Sequence, residues 1–191
     1  MTNVTIFGSG QMGAAIESVL VAGGASVDHI TSSDYWKDVT GELVIVATPY
    51  PAIKEITSRY ADELEGKIVV DITNPVNTET FDGLAVPVGS SSAAELAAQL
   101  PSSRVLKAFN TNFASTLANK SVGPNKTIVL IAGDDEAAKT TLSDALVAGG
   151  VSAVDVGSLK RAHELEALGF LQISLAASGK ISWTSGFALV E

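Results

Sequence analysis

Gly8, Ser9, Gly10, Gln11, Met12 and Gly13 set three glycines at a spacing that suits a turn wrapped around an anion. Gly8 permits the tight turn. Gly10 lets the backbone approach a pyrophosphate, and Gly13 lets a helix pack closely on a strand. A helix that opens here points free N–H groups and the positive end of its dipole at the phosphates. The pattern is weak alone, because glycine is common. It gains weight between a strand and a helix, with a second strand to follow. The flanks have that form: an apolar run at 4–7, a helical period over 12–22 stopped by Gly23-Gly24, and a second strand over 26–31.

The residue after that second strand should read the adenosine ribose. An acid there favours NAD, and a cation nearby favours NADP. The chain offers Thr31-Ser32-Ser33-Asp34 and then Lys37. The Ser32 and Ser33 hydroxyls can donate to a phosphate and Lys37 adds charge, while Asp34 argues mildly the other way. The balance favours NADP, with NAD second. The plainer alternative is that Ser32 and Ser33 only form a turn.

Three further loops follow strand-like runs. They are Ala47-Thr48-Pro49-Tyr50-Pro51, Thr73-Asn74-Pro75-Val76-Asn77 and Ala108-Phe109-Asn110-Thr111-Asn112. In open α/β sheets the ligand crosses the carboxyl ends of the strands. Small hydroxyls, amides and prolines there can shape a site for an amide ring without burying charge. One such loop would be ordinary turn chemistry; three at one edge point to a site.

The elements that must hold these loops alternate along the chain. Strands are expected over 43–47, 67–72, 104–108, 127–132 and 153–156. Helices are expected over 51–64, 92–100, 135–147 and 159–177. Ser91 or Ser92 would cap the second of these helices. The polar stretch 32–41 is short for a crossover helix. The alternation implies a doubly wound parallel sheet of the Rossmann type. The 191 residues suit a single domain, residues 1–191, with 157–191 a helical extension at its carboxyl end. Hydrophobic residues make up 46% but aromatics only 6%, which suits strands buried on both faces.

Other chemistries are disfavoured. Without cysteine there is no disulfide, thiolate metal site or cysteine nucleophile. A net charge of −9 with no basic run argues against nucleic acid and acidic membranes. No apolar run approaches the ~20 residues of a membrane span, and the start lacks a secretory pattern, so the cytoplasm is expected. The tyrosines, Tyr35, Tyr50 and Tyr60, give no Tyr-x-x-x-Lys pair. His29 lies in a strand and reads as structural. His163, near Glu164 and Glu166, reads as a solvated helix residue. No metal cluster is visible. Alcohol or ketone chemistry wants a proton donor, whereas hydride exchange between two bound carriers asks the protein mainly for position.

The strings VTIFGSGQMGAAI, LVIVATPYPAI, VVDITNPVN, VGSSSAAELAAQLPSSRVLKAFNT, LIAGDD and DVGSLKRAHELEALGFL cover most of the chain. With them it resembles the NADP oxidoreductases that use the deazaflavin coenzyme F-420. Related domains occur in membrane ferric reductases. The resemblance implies that Ser9, Gln11 and Met12 line the phosphates. It implies that Thr48, Pro49 and Asn74 flank the nicotinamide and that residues 108–110 form the pocket wall. The last helix would close the acceptor site, and the protein would be a homodimer. Two departures stand out: Ser33 occupies the place of a family arginine, and the segment 32–42 is short.

The reading is an NADP-dependent oxidoreductase that exchanges hydride with a small redox acceptor, a flavin or deazaflavin. Two rivals stay open: a non-catalytic dinucleotide sensor or subunit, and a small-molecule dehydrogenase or imine reductase.

Overall fold

Strand β1 (Asn3–Phe7) runs into the glycine turn and helix α1 (Gln11–Ala22), and β2 (Ser26–Ile30) follows. The computed structural model describes residues 2–34 and 36–190, so Tyr35 lies outside the described residues. Next come β3 (Leu43–Val46), a 3-10 turn (Tyr50–Ala52), α2 (Ile53–Leu64), β4 (Ile68–Asp71), α3 (Ser92–Gln99) and β5 (Arg104–Lys107). A short helix α4 (Ala114–Ala118) and the hairpin β6 (Ser121–Val122) and β7 (Asn125–Lys126) lead to β8 (Ile128–Gly133). The chain continues through α5 (Glu136–Ala148), β9 (Ser152–Gly157), a 3-10 turn (Leu159–Arg161) and α6 (Ala162–Ala177).

The main sheet has the order β2-β1-β3-β4-β5-β8-β9. The first five strands are parallel. The doubly wound sheet is parallel as expected except at β8, which pairs antiparallel to β5 through Leu106 with Gly133 and Lys107 with Ala132. The intervening segment brings the chain into β8 from the edge at which β5 ends. There Asn112 Nδ2 donates to the Ile128 carbonyl at 3.1 Å. The α4 helix and the small hairpin were not expected; each is too short to leave a periodic signal.

Strand residues alternate between two cores. Val4, Ile6, Leu43, Ile45, Val70 and Leu106 pack with α1, α4 and α5. Phe7, Val44, Val46, Val69 and Val105 pack with α2 and α3. Helix α2 shows why: Ile53, Ile56, Thr57, Tyr60 and Leu64 fall on one face at helical spacing and are all buried. Full burial of each large apolar side chain contributes roughly 1.5–3 kcal/mol.

Among the described residues no helix joins β2 to β3. Val39 is buried there, and its N–H donates to Glu63 at 2.6 Å. The chain order reverses beside β1, where β2 lies on one side and β3 on the other. Ligands of such sheets bind at that crevice.

Candidate functional site

The glycine turn sits at the crevice, and its three glycines differ physically. Gly8 has φ +100° and its N–H donates to the Ile30 carbonyl at 2.8 Å. A Cβ on Gly8 would lie 2.4 Å from the Ala47 oxygen. A Cβ on Gly13 would lie 2.9 Å from the Gly8 oxygen. Gly10 is different: a Cβ there would meet nothing within 4 Å. Two glycines are therefore required by packing, and the third faces open space.

The first turn of α1 has no side-chain cap and no acidic residue. Its N–H groups remain available to an anion. His29 steadies the turn, as its structural reading implied. Its Nδ1 lies 2.8 Å from the Gly8 oxygen and its Nε2 lies 3.2 Å from Glu17.

Two cavities adjoin the turn. The first, about 310 Å³, is lined by Phe7, Gly8, Ser9, Thr31, Ser32, Thr48, Pro49, Ile56, Arg59 and Tyr60, among others. The second, about 420 Å³, is lined by Gln11, Met12, Asn74, Phe109, Asn110, Asn112, Phe113 and Trp183, among others. Ser9 and Gln11 open into different cavities, so Gly10 lies at the partition.

Most residues singled out in the sequence line one cavity or the other, but several do not. Ala47 underlies Gly8 through its carbonyl. Pro75 and Ala108 are buried and line neither cavity. Ser33 is exposed and pairs with the Thr31 hydroxyl at 2.8 Å. Lys37 is drawn away: its Nζ donates to the His29 carbonyl at 3.0 Å and lies 3.7 Å from Asp34 and 3.9 Å from Asp28. Tyr50 lines a separate cavity with Ser92 and Glu95, and its hydroxyl donates to Glu95 at 2.5 Å. Burial first, and the Glu95 contact second, push the Tyr50 hydroxyl up to about 12.

The loops after β4 and β5 are tied to each other and to α6. Asn74 Nδ2 donates to the Asn110 carbonyl at 2.8 Å. Asn110 Nδ2 donates to Asn74 Oδ1 at 2.9 Å and to the Leu165 carbonyl at 2.8 Å. Phe109, fully buried, is held at φ 64°. An aromatic residue in the left-handed region is strained, and such strain gathers at functional sites. Gly169 allows α6 to approach: a Cβ there would lie 2.3 Å from Asn74 Oδ1.

Among the described residues, the buried side-chain atoms without a hydrogen-bond partner are Thr48 Oγ1, Tyr60 Oη, Asn110 Oδ1 and Asn112 Oδ1. Each belongs to a residue that lines one of the two cavities. A buried polar atom without a partner costs about 1–3 kcal/mol, which a polar ligand would offset.

Charge is buried beneath this site, contrary to the uncharged site expected. Lys107 Nζ donates to Glu166 at 2.7 Å, to Asp71 at 2.9 Å and to the Thr73 carbonyl at 2.5 Å. The three charged side chains are fully buried. The sequence carried a trace of this: Asp71 ends an otherwise apolar strand, and Lys107 follows the apolar pair Val105-Leu106 at the end of its own. Arg59 was also missed, although Ile56 and Tyr60 show which face of α2 meets the sheet. His163 is docked rather than solvated, its Nδ1 lying 3.0 Å from the Ser90 carbonyl.

No protein-family model matches the chain. The sheet order and the glycine turn define a domain of the Rossmann class. The chain is 33% identical over 139 residues to an F420-dependent NADP reductase of Methanocaldococcus jannaschii, covering 71% of the chain and 62% of the reductase. It is 33% identical over 183 residues to the metalloreductase STEAP3 of Rattus norvegicus, covering 86% of the chain and 36% of that protein. A crystal structure from Arthrobacter sp. FB24, named provisionally as an F420-dependent NADP reductase, superposes with a TM-score of 0.84 at 21% identity and covers all of both chains. The chain is thus similar to the F420-dependent NADP reductases, as its sequence motifs implied, and it spans under two thirds of the curated relatives' length.

Proposed function

We propose that the chain binds NADP(H) across the glycine turn and exchanges hydride with a flavin or deazaflavin. The observation that carries this is the coincidence of Gly10, open to space at the head of α1, with unpartnered polar atoms in a cavity on either side. Homologues named for NADP and F420 supply the direction.

The adenosine half fits the first cavity, between Pro49 and Ile56, with Thr48 and Tyr60 as polar contacts. The pyrophosphate fits the uncapped N–H groups at the start of α1. The amide ring fits the second cavity, where Asn110 Oδ1 can accept from a carboxamide. When bound, the nicotinamide supplies or receives the hydride at its ring carbon. The chain's own residues bind and orient the two carriers. No proton donor at the ring is required, since the hydride carries both electrons and water can supply the balancing proton.

Phe113 and Trp183, with ring centroids 5.0 Å apart, give the second cavity an aromatic wall for a planar acceptor. Residues 157–191 then serve as the extension that closes the acceptor site, since α6 carries Ile173 to the cavity and the tail carries Trp183. Exposed Leu171, Phe187 and Leu189 offer apolar surface to a second copy of the chain. Among the described residues no helix is long and apolar enough to cross a membrane.

The test is calorimetric titration with NADPH and NADH, followed by anaerobic mixing with F420 and with FMN. Preferred binding of NADPH and its oxidation by one of the carriers is the expected result. Binding without turnover would make the chain a sensor or subunit. No binding of either dinucleotide would end the proposal.

A further inference from the structure

We infer that Arg59 on α2 reads the ribose 2′-phosphate that separates NADP from NAD, in place of a cation after β2. The inference rests on the dinucleotide reading above and adds the residue that sets its specificity.

The loop after β2 has engaged its charges internally. Asp34 accepts from the Thr31 N–H at 2.9 Å and from the Thr31 hydroxyl at 2.6 Å. Lys37 is held by the His29 carbonyl between Asp28 and Asp34. Neither residue lines the first cavity, to which that loop contributes Thr31 and Ser32. Arg59 lines the same cavity and is the one cationic side chain among its described lining residues.

The placement of Arg59 follows from its helix. Ile56 and Tyr60 are buried against the sheet, so this turn of α2 is fixed. Arg59, adjacent to Tyr60, therefore lies at the cavity edge with its side chain 39% exposed. Tyr60 lines the same cavity, and its hydroxyl is buried without a hydrogen-bond partner. Arg59 Nη2 lies 3.7 Å from Glu55 on the exposed face of the helix. A phosphate matches the planar donor fork of a guanidinium. Ser32 adds a hydroxyl donor from the other strand end.

The test uses two probes that lack the nicotinamide, 2′,5′-ADP and 5′-AMP, titrated against the full chain and its Arg59→Ala and Arg59→Lys variants. NADPH and NADH are titrated in parallel. Arg59→Ala should weaken 2′,5′-ADP on the order of 10- to 100-fold, as expected for a charged hydrogen bond, and leave 5′-AMP within about twofold. Arg59→Lys should restore part of the loss, because it returns the charge without the fork. Equal losses for both probes would mean that Arg59 holds the adenine instead, and unchanged affinities would mean that it holds neither; either overturns the inference. Wild-type protein that binds NADH better than NADPH would also overturn it, with the dinucleotide reading intact. Wild-type protein that binds neither dinucleotide would remove the underlying reading as well.

Discussion

The Lys107 ammonium lies 2.7 Å from the Glu166 carboxylate, and neither side chain reaches solvent. Asp71 faces Lys107 in register across β4 and β5 and completes the cluster at 2.9 Å. Glu166 also accepts from the Ser92 N–H at 3.1 Å, at the start of α3. One cation thus joins two strand ends and two helices. Asn74 and Asn110 lie three residues beyond Asp71 and Lys107, so the cluster fixes the loops of the second cavity.

Replacement of Lys107 tests how tightly this is held. Lys107→Met leaves two carboxyls buried together without a counter-charge, and breaking a buried pair costs about 3–5 kcal/mol. Urea unfolding of the variant should show a loss of that size. A loss of less than about 1 kcal/mol, within the range of an exposed ion pair, would mean that the cluster contributes nothing to stability.

The same cluster gives a pH signature. Burial pushes the Glu166 carboxyl up, against the pull of the Lys107 ammonium and the Ser92 N–H. A carboxyl raised in the folded state binds more protons there than in the unfolded chain. Its contribution is therefore full below its ordinary 4.5 and is lost as pH rises through the raised value. Glu166→Gln removes that dependence. The stability of wild type minus that of Glu166→Gln should fall as pH rises above about 4.5, the ordinary value. A difference that stays flat or grows across that range would show that Glu166 is not raised.

Much of the fold was legible because its signals are local. Apolar runs marked the strands, and Gly-Gly pairs stopped α1 and α5. The three glycines marked the turn. What escaped depends on contacts distant in the chain. Asp71, Lys107 and Glu166 are separate positions until β4, β5 and α6 are assembled. The reversal of β8 is invisible in TIVLIA, since a strand carries no mark of its direction. Lys37 was legible as a cation beside a ribose loop, but its capture by the His29 carbonyl was not. Arg59 carried no signal of its own, because the cavity it lines forms only when α2 packs beside β1 and β3.

Gly10 and Gly8 separate binding from folding. Gly10→Val adds a side chain whose Cβ meets no protein atom within 4 Å, at a helix start with φ −71° that other residues adopt. The protein should fold with a stability loss of about 1 kcal/mol at most, yet lose dinucleotide binding. Gly8→Ala should fail in folding instead, because its Cβ meets the Ala47 oxygen at 2.4 Å with φ at +100°. Circular dichroism melts beside NADPH titrations would show the contrast. A folded Gly10→Val protein with unchanged affinity would remove the turn from the site.

Gly169 offers a way to disturb one cavity without the other. A Cβ there would meet Asn74 Oδ1 at 2.3 Å and the Asn110 carbonyl at 2.8 Å, both beside the second cavity. Gly169→Ala must push α6 outward or break the mutual amide bonds of Asn74 and Asn110. Overpacking of this kind costs about 1–3 kcal/mol, so the domain should still fold. The first cavity shares none of these residues, so affinity for 2′,5′-ADP should stay within about twofold of wild type, as expected for separate sites. Hydride exchange should drop on the order of 100-fold, the scale expected when a reacting group is displaced by about 1 Å. Equal loss of probe binding and turnover would place Gly169 in the general packing of the domain. Loss of turnover alone would mark the contact of α6 with the two asparagines as the element that positions the amide ring.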